Sequence, residues 1–245
     1  MLGWFSRNNE EEFAPMDFSV LKNDIHSHFI PGIDDGSPDM ETTIDLIQEM
    51  QLLGFSKVIT TPHVMSDFYR NSTELILKGL EDVRAELLAR NISMEIDAAA
   101  EYYIDYDFVQ KIGHEKFLTF GSNYLLIELS FVEVPNNLLE VVFKLQLEGY
   151  QVVLAHPERY DYFQMKDYKD LVSRGVLLQI NFLSLIDYYS SQINKKAQDL
   201  IAANMVSFIG TDCHHPQHAE LYKGCQTKKY WHDLINSGKL LNSSL

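Results

Sequence analysis

The sequence has few cysteines, no excess of basic residues and no long hydrophobic run, and each shortage excludes a class of protein. Only two of its 245 residues are cysteine, too few for a disulfide framework, so we expect a reducing, cytoplasmic setting. The 35 acidic residues outnumber the 20 Lys and Arg, and the net charge of −15 argues against a nucleic-acid partner. No apolar run reaches the roughly 20 residues that span a bilayer, and the amino-terminal residues lack the apolar stretch of a secretory signal. We therefore expect no stable membrane insertion.

Familiar phosphate-handling and catalytic motifs are also missing. The sequence contains no glycine-rich Walker loop and no dinucleotide-binding fingerprint. A cysteine-dependent phosphatase needs an arginine six residues after its cysteine, but Cys213 is followed there by Ala219 and Cys225 by Trp231. The sequence therefore argues against a covalent phosphocysteine mechanism.

Short apolar runs alternate with longer amphipathic stretches along most of the chain. We predict seven strands, at 23–26, 57–61, 94–100, 123–129, 151–155, 176–181 and 205–210. We predict helices at 38–53, 73–90, 135–148, 167–174 and 192–203. This alternation favours an α/β fold with a parallel sheet, because a parallel crossover needs a dozen or more residues. The simplest packing is one seven-stranded α/β barrel over 23–245, after a flexible segment at 1–22, and an open doubly wound sheet is the alternative.

Chemically active side chains follow these predicted strands. In βα barrels such groups gather where strands end and βα loops begin. One histidine at a strand end is more often structural, but six of the seven strand ends carry His, Asp or Glu, and the other carries Asn181. We therefore expect convergence of five histidines and four carboxylates: His26, His28, His63, His156, His214, Asp35, Glu101, Glu128 and Asp212.

Nine nitrogen and oxygen donors are too many for one ion and suit two or three divalent ions. The mixture of imidazole and carboxylate, without thiolate, favours manganese, iron or zinc over a structural zinc site. Glu128 lies in an apolar run, where a buried carboxylate needs a cation or hydrogen-bond donors, with an arginine partner as the alternative. The positive charge of three such ions would exceed the negative charge of four carboxylates by about two, so the site would attract an anion.

Several segments resemble the PHP (polymerase and histidinol phosphatase) family. They include HSH at 26–28, TPH at 61–63, HPERY at 156–160 and TDCH at 211–214. The resemblance is closer still to the bacterial manganese-dependent tyrosine-protein phosphatases found with capsule and exopolysaccharide genes. It covers about 23–218 and implies a distorted seven-stranded barrel with manganese ions at the carboxyl ends of the strands. The nine residues above would be the ligands.

The resemblance also implies an activity, a partner and substrate contacts. The enzyme would hydrolyse phosphotyrosine monoesters by attack of a hydroxide that bridges the ions. Its substrate would be the tail of a bacterial tyrosine kinase, and the reaction would regulate capsule synthesis. Arg159 would bind the phosphate, and Arg159 and Asp24 would act in catalysis, Asp24 by supporting the ligands. The family carries a second phosphate-binding arginine after the last ligand, which this sequence lacks. His215, His218 and Arg70 are candidates to replace it.

Three other functions fit parts of the same pattern. One is a phosphatase for a small metabolite such as histidinol phosphate. Another is an amidohydrolase-type metal hydrolase, although such enzymes typically use a carboxylated lysine where this sequence has Glu128. The third is a non-catalytic regulatory module that holds metal, which the nearly complete set of ligands argues against.

Overall fold

Nine parallel strands form the framework of the computed structural model, which describes residues 13–245. In chain order they are β1 (Asn23–Asp24), β2 (Lys57–Thr60), β3 (His63–Val64), β4 (Glu95–Ala98), β5 (Glu101–Tyr103), β6 (Tyr124–Glu128), β7 (Gln151–Ala155), β8 (Leu177–Asn181) and β9 (Val206–Gly210). A three-stranded sheet has the order β1-β2-β4, and a six-stranded sheet has the order β3-β5-β6-β7-β8-β9. The predicted α/β class with parallel strands is confirmed. Strands follow chain order within each sheet, whereas the order of a doubly wound sheet reverses.

The count of nine differs from the predicted seven because a further short strand, β3 or β5, follows each of two predicted strands after a break. Pro62 has no N–H to donate and separates β2 from β3. Two alanines, Ala99 and Ala100, separate β4 from β5. At the first break, the Thr61 N–H donates to the Ser27 carbonyl at 2.7 Å. The chain thus passes from one sheet to the other at each break.

Backbone hydrogen bonds also connect the chain after β1 with the chain after β9. The Asp212 N–H donates to the His26 carbonyl at 2.7 Å, and the His28 N–H donates to the Cys213 carbonyl at 3.0 Å. Just before these positions, the buried Asn242 side chain donates to the carbonyls of Asn23 in β1 and Ile209 near the end of β9, at 3.2 and 2.7 Å. Hydrogen bonds therefore tie β1 and the chain after it to the end of β9 and the loop that follows.

Eight helices accompany the sheets: α1 (Met40–Leu52), α2 (Thr73–Ala89), α3 (Tyr106–Lys111), α4 (Leu138–Leu147), α5 (Met165–Ser173), α6 (Ser191–Ala202), α7 (Pro216–Tyr222) and α8 (Lys229–Ser237). Side-chain oxygens of Asp39, Ser72 and Ser190 cap α1, α2 and α6. The apolar faces of the helices form one large core with the sheets. A smaller core, including Ile25, Ile59, Leu126 and Phe208, fills the space between the strands.

The segment at 1–22 is not wholly flexible. Its first twelve residues lie outside the described residues, but Phe18 is fully buried and packs against Phe182 at 4.3 Å between ring centroids. The Trp231 indole N–H donates to the Met16 carbonyl at 2.8 Å. The folded unit therefore extends before residue 22, because an apolar anchor precedes β1. Between residues 13 and 245, no helix is both long and apolar enough to cross a membrane.

Candidate metal centre

The structure brings all nine predicted ligands together where the strands end. Their side chains form four overlapping groups, and within each group the donor atoms lie within 4.8 Å of one another. The groups are His28-Asp35-His63-His214, His26-His28-Glu101, His26-His156-Asp212 and His63-Glu101-Glu128. Four residues each belong to two of these groups, so the groups are parts of one continuous cluster. All the residues except Asp35 and His214 are buried.

Glu101 is at the centre of this cluster. Its Oε2 lies 3.1 Å from His63 Nδ1 and 3.2 Å from His26 Nε2. The same oxygen is 3.6 Å from His28 Nε2, and Oε1 is 3.0 Å from His156 Nε2. The two oxygens of one fully buried carboxylate thus face four imidazoles, which is the geometry required of a residue that bridges ions.

Hydrogen bonds orient three of the five histidines so that each can bind a metal ion through Nε2. His26 Nδ1–H donates to Gln179 Oε1 at 2.7 Å, and His28 Nδ1–H donates to Asp34 Oδ2 at 2.8 Å. His214 Nδ1–H donates to the Asp212 carbonyl at 2.9 Å. In each ring the Nε2 lone pair is then free to bind a cation, because the hydrogen bond fixes the tautomer.

Within residues 13–245, two buried ring nitrogens, His63 Nδ1 and His156 Nδ1, have no hydrogen-bond partner. A buried polar atom without a partner is costly in a folded protein. His63 Nδ1 nevertheless has carboxylate oxygens of Glu101 and Glu128 at 3.1 and 3.6 Å. A divalent ion among these three atoms would satisfy all of them, so the donor set fits the expected metal.

The electrostatics of the cluster also favour a cation. Burial would raise the pKa of Glu101, but the facing His26 and His63 hold that pKa well below its usual value. For Glu128, burial raises the pKa well above its usual value, and the charges of Glu101 and Asp212 raise it further. The protein's own cations therefore do not compensate both glutamates.

The supporting residues Asp34 and Gln179 are two groups that the sequence did not identify. Asp34 Oδ2 accepts from both His28 and the His63 N–H, the latter at 3.1 Å. Gln179 lies within β8, two residues before the Asn181 that marked the strand end in the sequence. A strand places alternate residues on one face, which is the signal that could have found Gln179.

Replacing Asp34 by asparagine is expected to weaken metal binding by about tenfold or more, because residues that orient metal-binding histidines typically have such effects. One oxygen of Asp34 accepts two N–H groups and the other accepts the Gly36 N–H at 3.0 Å. An asparagine side chain would place its own NH₂ group against at least one of these N–H donors. Calorimetric manganese titration measures the change, with the exposed Asp45→Asn as control. An unchanged dissociation constant would contradict this role.

Two residues of the cluster have left-handed backbone conformations. The φ angles are 32° at His156 and 53° at Asp212. Residues other than glycine seldom adopt such angles, and asparagine tolerates them best. The conformations occur where β7 and β9 give way to the following loops, so they turn both side chains into the cluster.

The predicted substrate and catalytic residues are more scattered than the ligands. Arg159 Nη1 donates to Asp212 Oδ2 at 3.2 Å, so its guanidinium borders the cluster. Asp24 points instead to Thr211: its oxygens accept from the Thr211 N–H at 2.9 Å and the Thr211 hydroxyl at 2.6 Å. Burial raises the pKa of Asp24 to about 6. The structure thus gives Asp24 a role in joining β1 to β9.

The three candidates for the missing arginine also differ in position. Arg70 is exposed, and its Nε donates to the Ser66 carbonyl, away from the cluster. His215 is exposed at the start of α7. His218 is closer: its Nδ1 accepts from the His214 N–H at 3.4 Å, and its Nε2 is 3.0 Å from the Tyr188 hydroxyl. Of the three, only His218 hydrogen-bonds to a residue of the cluster among the described residues.

The chain is similar to a known family and to proteins named as tyrosine-protein phosphatases. The model of a family described as "Capsular polysaccharide synthesis, CpsB/CapC" matches residues 22–234. The chain is 28% identical over 195 residues to the tyrosine-protein phosphatase YwqE of Bacillus subtilis, covering 78% of this chain and 77% of that protein. It is 26% identical over 213 residues to the tyrosine-protein phosphatase CpsB of Streptococcus agalactiae, covering 82% and 88%.

Solved structures give two further matches. One chain comes from the crystal structures of YwqE from Bacillus subtilis and CpsB from Streptococcus pneumoniae, described as unique metal-dependent tyrosine phosphatases. It matches with a TM-score of 0.76 at 26% identity, over 90% of this chain and 94% of that chain. Histidinol phosphate phosphatase from Lactococcus lactis, complexed with zinc, histidinol and phosphate, has a TM-score of 0.56 at 16% identity, covering 89% and 93%. The second match shows a shared fold.

Proposed function

Because the chain belongs to the CpsB/CapC family of capsular polysaccharide synthesis, we propose that it is a metal-dependent protein-tyrosine phosphatase. The observation that carries this proposal is the single cluster of five histidines and four carboxylates bordered by Arg159. The relatives named as tyrosine-protein phosphatases support the substrate class. The physiological substrate would be a phosphotyrosine in the tail of a bacterial tyrosine kinase, and its hydrolysis would regulate capsule or exopolysaccharide synthesis.

The nine residues of the cluster would hold two or three divalent ions, manganese in our proposal, with iron or zinc as alternatives. When bound, such ions lower the pKa of water toward neutrality and neutralise charge on phosphate oxygens. His26, His28 and His214 would present Nε2 to them, and Glu101 would be the central ligand of the set. The cytoplasmic location predicted from the sequence stays a prediction.

Arg159 would orient the phosphate. Asp212 is the only hydrogen-bond partner of its guanidinium among the described residues, so other N–H groups remain for phosphate oxygens. The planar fork of arginine matches two oxygens of a phosphate at once. A tyrosyl leaving group needs little protonation, because the pKa of a phenol is about 10. Binding and orientation are therefore the main tasks left to side chains at the mouth.

The cysteines support a mechanism without a thiol nucleophile. Cys213 and Cys225 are both buried. Burial raises the pKa of the Cys213 thiol above its usual value and that of Cys225 to about 12. A thiol in such surroundings stays protonated and unreactive.

We also propose that the two sheets are parts of one distorted barrel. The nine strands become the seven predicted segments if β2 and β3 are counted together, as are β4 and β5. The hydrogen bonds between the chain after β1 and the chain after β9 support closure. The small core between the strands would then be the interior of the barrel.

A substrate panel on one metal-loaded sample tests the proposed function. We expect kcat/KM for a phosphotyrosyl peptide to exceed that for the matching phosphoseryl peptide and for histidinol phosphate by at least about tenfold. p-Nitrophenyl phosphate should also be hydrolysed. A preference for histidinol phosphate would indicate a metabolite phosphatase. Absence of turnover with manganese, iron and zinc would indicate a module that holds metal without catalysis.

Replacing Arg159 by alanine is expected to lower kcat/KM for the phosphotyrosyl peptide by about 10²-fold or more, the usual effect of losing one donor to the transition state. The metal content should stay unchanged, because the nine candidate ligands remain. Steady-state kinetics and elemental analysis on the same sample measure both. Arg174→Ala, at the exposed end of α5, is the matched control. Equal kcat/KM in the two variants would remove Arg159 from the site.

A further inference from the structure

We propose that Phe131 and Tyr189 are positioning residues that hold the guanidinium of Arg159 between their rings. The inference rests on the proposed function, since Arg159 is taken to bind the phosphate. Neither aromatic residue is a candidate metal ligand. Both would act through Arg159, and they come from different loops. Phe131 follows β6, whereas Tyr189 precedes α6.

The rings lie at equal distances from the guanidinium carbon. Arg159 Cζ is 4.7 Å from the centroid of the Phe131 ring and 4.7 Å from that of the Tyr189 ring. Both distances are well within the range of about 6 Å over which an aromatic face attracts a cation. With Asp212 accepting from Nη1, the guanidinium has two aromatic rings and one hydrogen-bond acceptor around it. These contacts restrict its orientation, and its other N–H groups have no hydrogen-bond partner among the described residues.

Each ring is itself held by neighbours. Phe131 stacks on Tyr160 at 5.5 Å and on His156 at 5.7 Å between centroids. Tyr189 packs against Tyr188 at 4.9 Å, and its hydroxyl accepts from Asn181 Nδ2 at 3.4 Å. His156 belongs to the metal cluster, and Asn181 donates to Asp212 Oδ2 at 2.6 Å. The position of the guanidinium is therefore coupled to that of the cluster.

Two physical problems explain why such a clamp would be useful. An arginine side chain has many rotamers, and a single hydrogen bond to Asp212 does not select among all of them. The guanidinium also borders a cluster that would hold several cations, which repel it. The negative faces of two aromatic rings offset part of this repulsion and restrict the rotamers. A guanidinium that is already oriented loses less entropy when phosphate binds.

A kinetic experiment separates this role from a general effect on folding. We expect Phe131→Leu and Tyr189→Leu to lower kcat/KM for the phosphotyrosyl peptide by about tenfold, mainly through KM, at unchanged metal content. Phe131→Tyr and Tyr189→Phe retain a ring and should stay within about twofold of the parent. The matched control is Phe143→Leu, which removes an aromatic ring that is 59% exposed on α4, compared with 45% for Phe131.

The decisive step repeats both leucine substitutions in an Arg159→Ala background. If the rings act through Arg159, the tenfold effects should disappear there, because interacting residues are non-additive. Undiminished effects in that background would overturn the proposal. So would leucine variants as active as the parent.

An NMR measurement keeps this test independent of turnover. The Nε–H proton of a guanidinium between two ring faces should resonate upfield, and Arg159→Lys identifies its signal by removing it. In zinc-loaded protein, Phe131→Leu and Tyr189→Leu should each move the signal downfield. A signal at the position of exposed arginines in the parent would overturn the clamp. If the clamp were present but the proposed function wrong, the parent would show the upfield signal and would not hydrolyse the phosphotyrosyl peptide.

Discussion

Chelation of divalent ions is expected to abolish hydrolysis of the phosphotyrosyl peptide, and manganese should restore it. The reason is that the donors at the mouth of the sheets surround buried positions that a cation would satisfy. His63 Nδ1 indicates this, because it has no hydrogen-bond partner among the described residues and lies 3.1 Å from a Glu101 oxygen. The cysteines, which would be the alternative nucleophiles, are buried. Initial rates before chelation, after it and after reconstitution measure the effect, with elemental analysis of each sample. Full turnover in a metal-free sample would contradict the proposed function.

The same experiment has a consequence for stability. Binding to the folded state alone stabilises a protein by about 2.7 kcal/mol when the free ligand is at 100 times its dissociation constant. We therefore expect the melting temperature to rise with manganese concentration and to fall on chelation. Magnesium, which binds imidazole poorly, is the control ion.

The second large effect is expected for Glu101→Gln. An amide cannot bridge cations as a carboxylate does, and it would place an NH₂ group against imidazole nitrogens that lie 3.0 to 3.2 Å away. Loss of an ion costs several kcal/mol of transition-state stabilisation, which corresponds to a fall in kcat/KM of about 10³-fold or more. Kinetics and metal content should fall together, unlike in Arg159→Ala.

Glu95→Gln is the matched control for this substitution. Glu95 begins β4, at the other end of the same stretch of chain, and pairs with Lys57 at an exposed position. Its removal should leave the rate unchanged. A Glu101→Gln variant that kept its metal and its activity would show that the central carboxylate does not join the ions.

The cluster could be predicted from the sequence because parallel strands deliver their carboxyl ends to one side of the sheet. To predict that such groups converge, one needs the positions of the strands but not the contacts between side chains. Errors arose where the backbone departs from a regular strand. After the breaks at Pro62 and at Ala99 the chain forms two further strands, β3 and β5, and two or three residues are too few to show the alternation that marks a strand.

Roles that depend on which partner a side chain meets could not be predicted. Asp24 lies two residues before His26 in sequence, yet it bonds to Thr211, which is 187 positions away. Asp34 and Asp35 are adjacent and chemically identical, but the first orients His28 whereas the second faces His214 and His63. Tyr189 offers no signal in the sequence, because its contact with Arg159 joins two loops.

The left-handed backbone at His156 and Asp212 has an evolutionary consequence. Such conformations cost about 1–2 kcal/mol each for side chains other than glycine, and the surrounding fold must sustain them. Selection for the reaction keeps the strained residues, whereas selection for foldability alone favours glycine or asparagine. We expect descendants of this fold that have abandoned the chemistry to drift toward those residues at both positions, and inspecting their sequences would reveal whether they do.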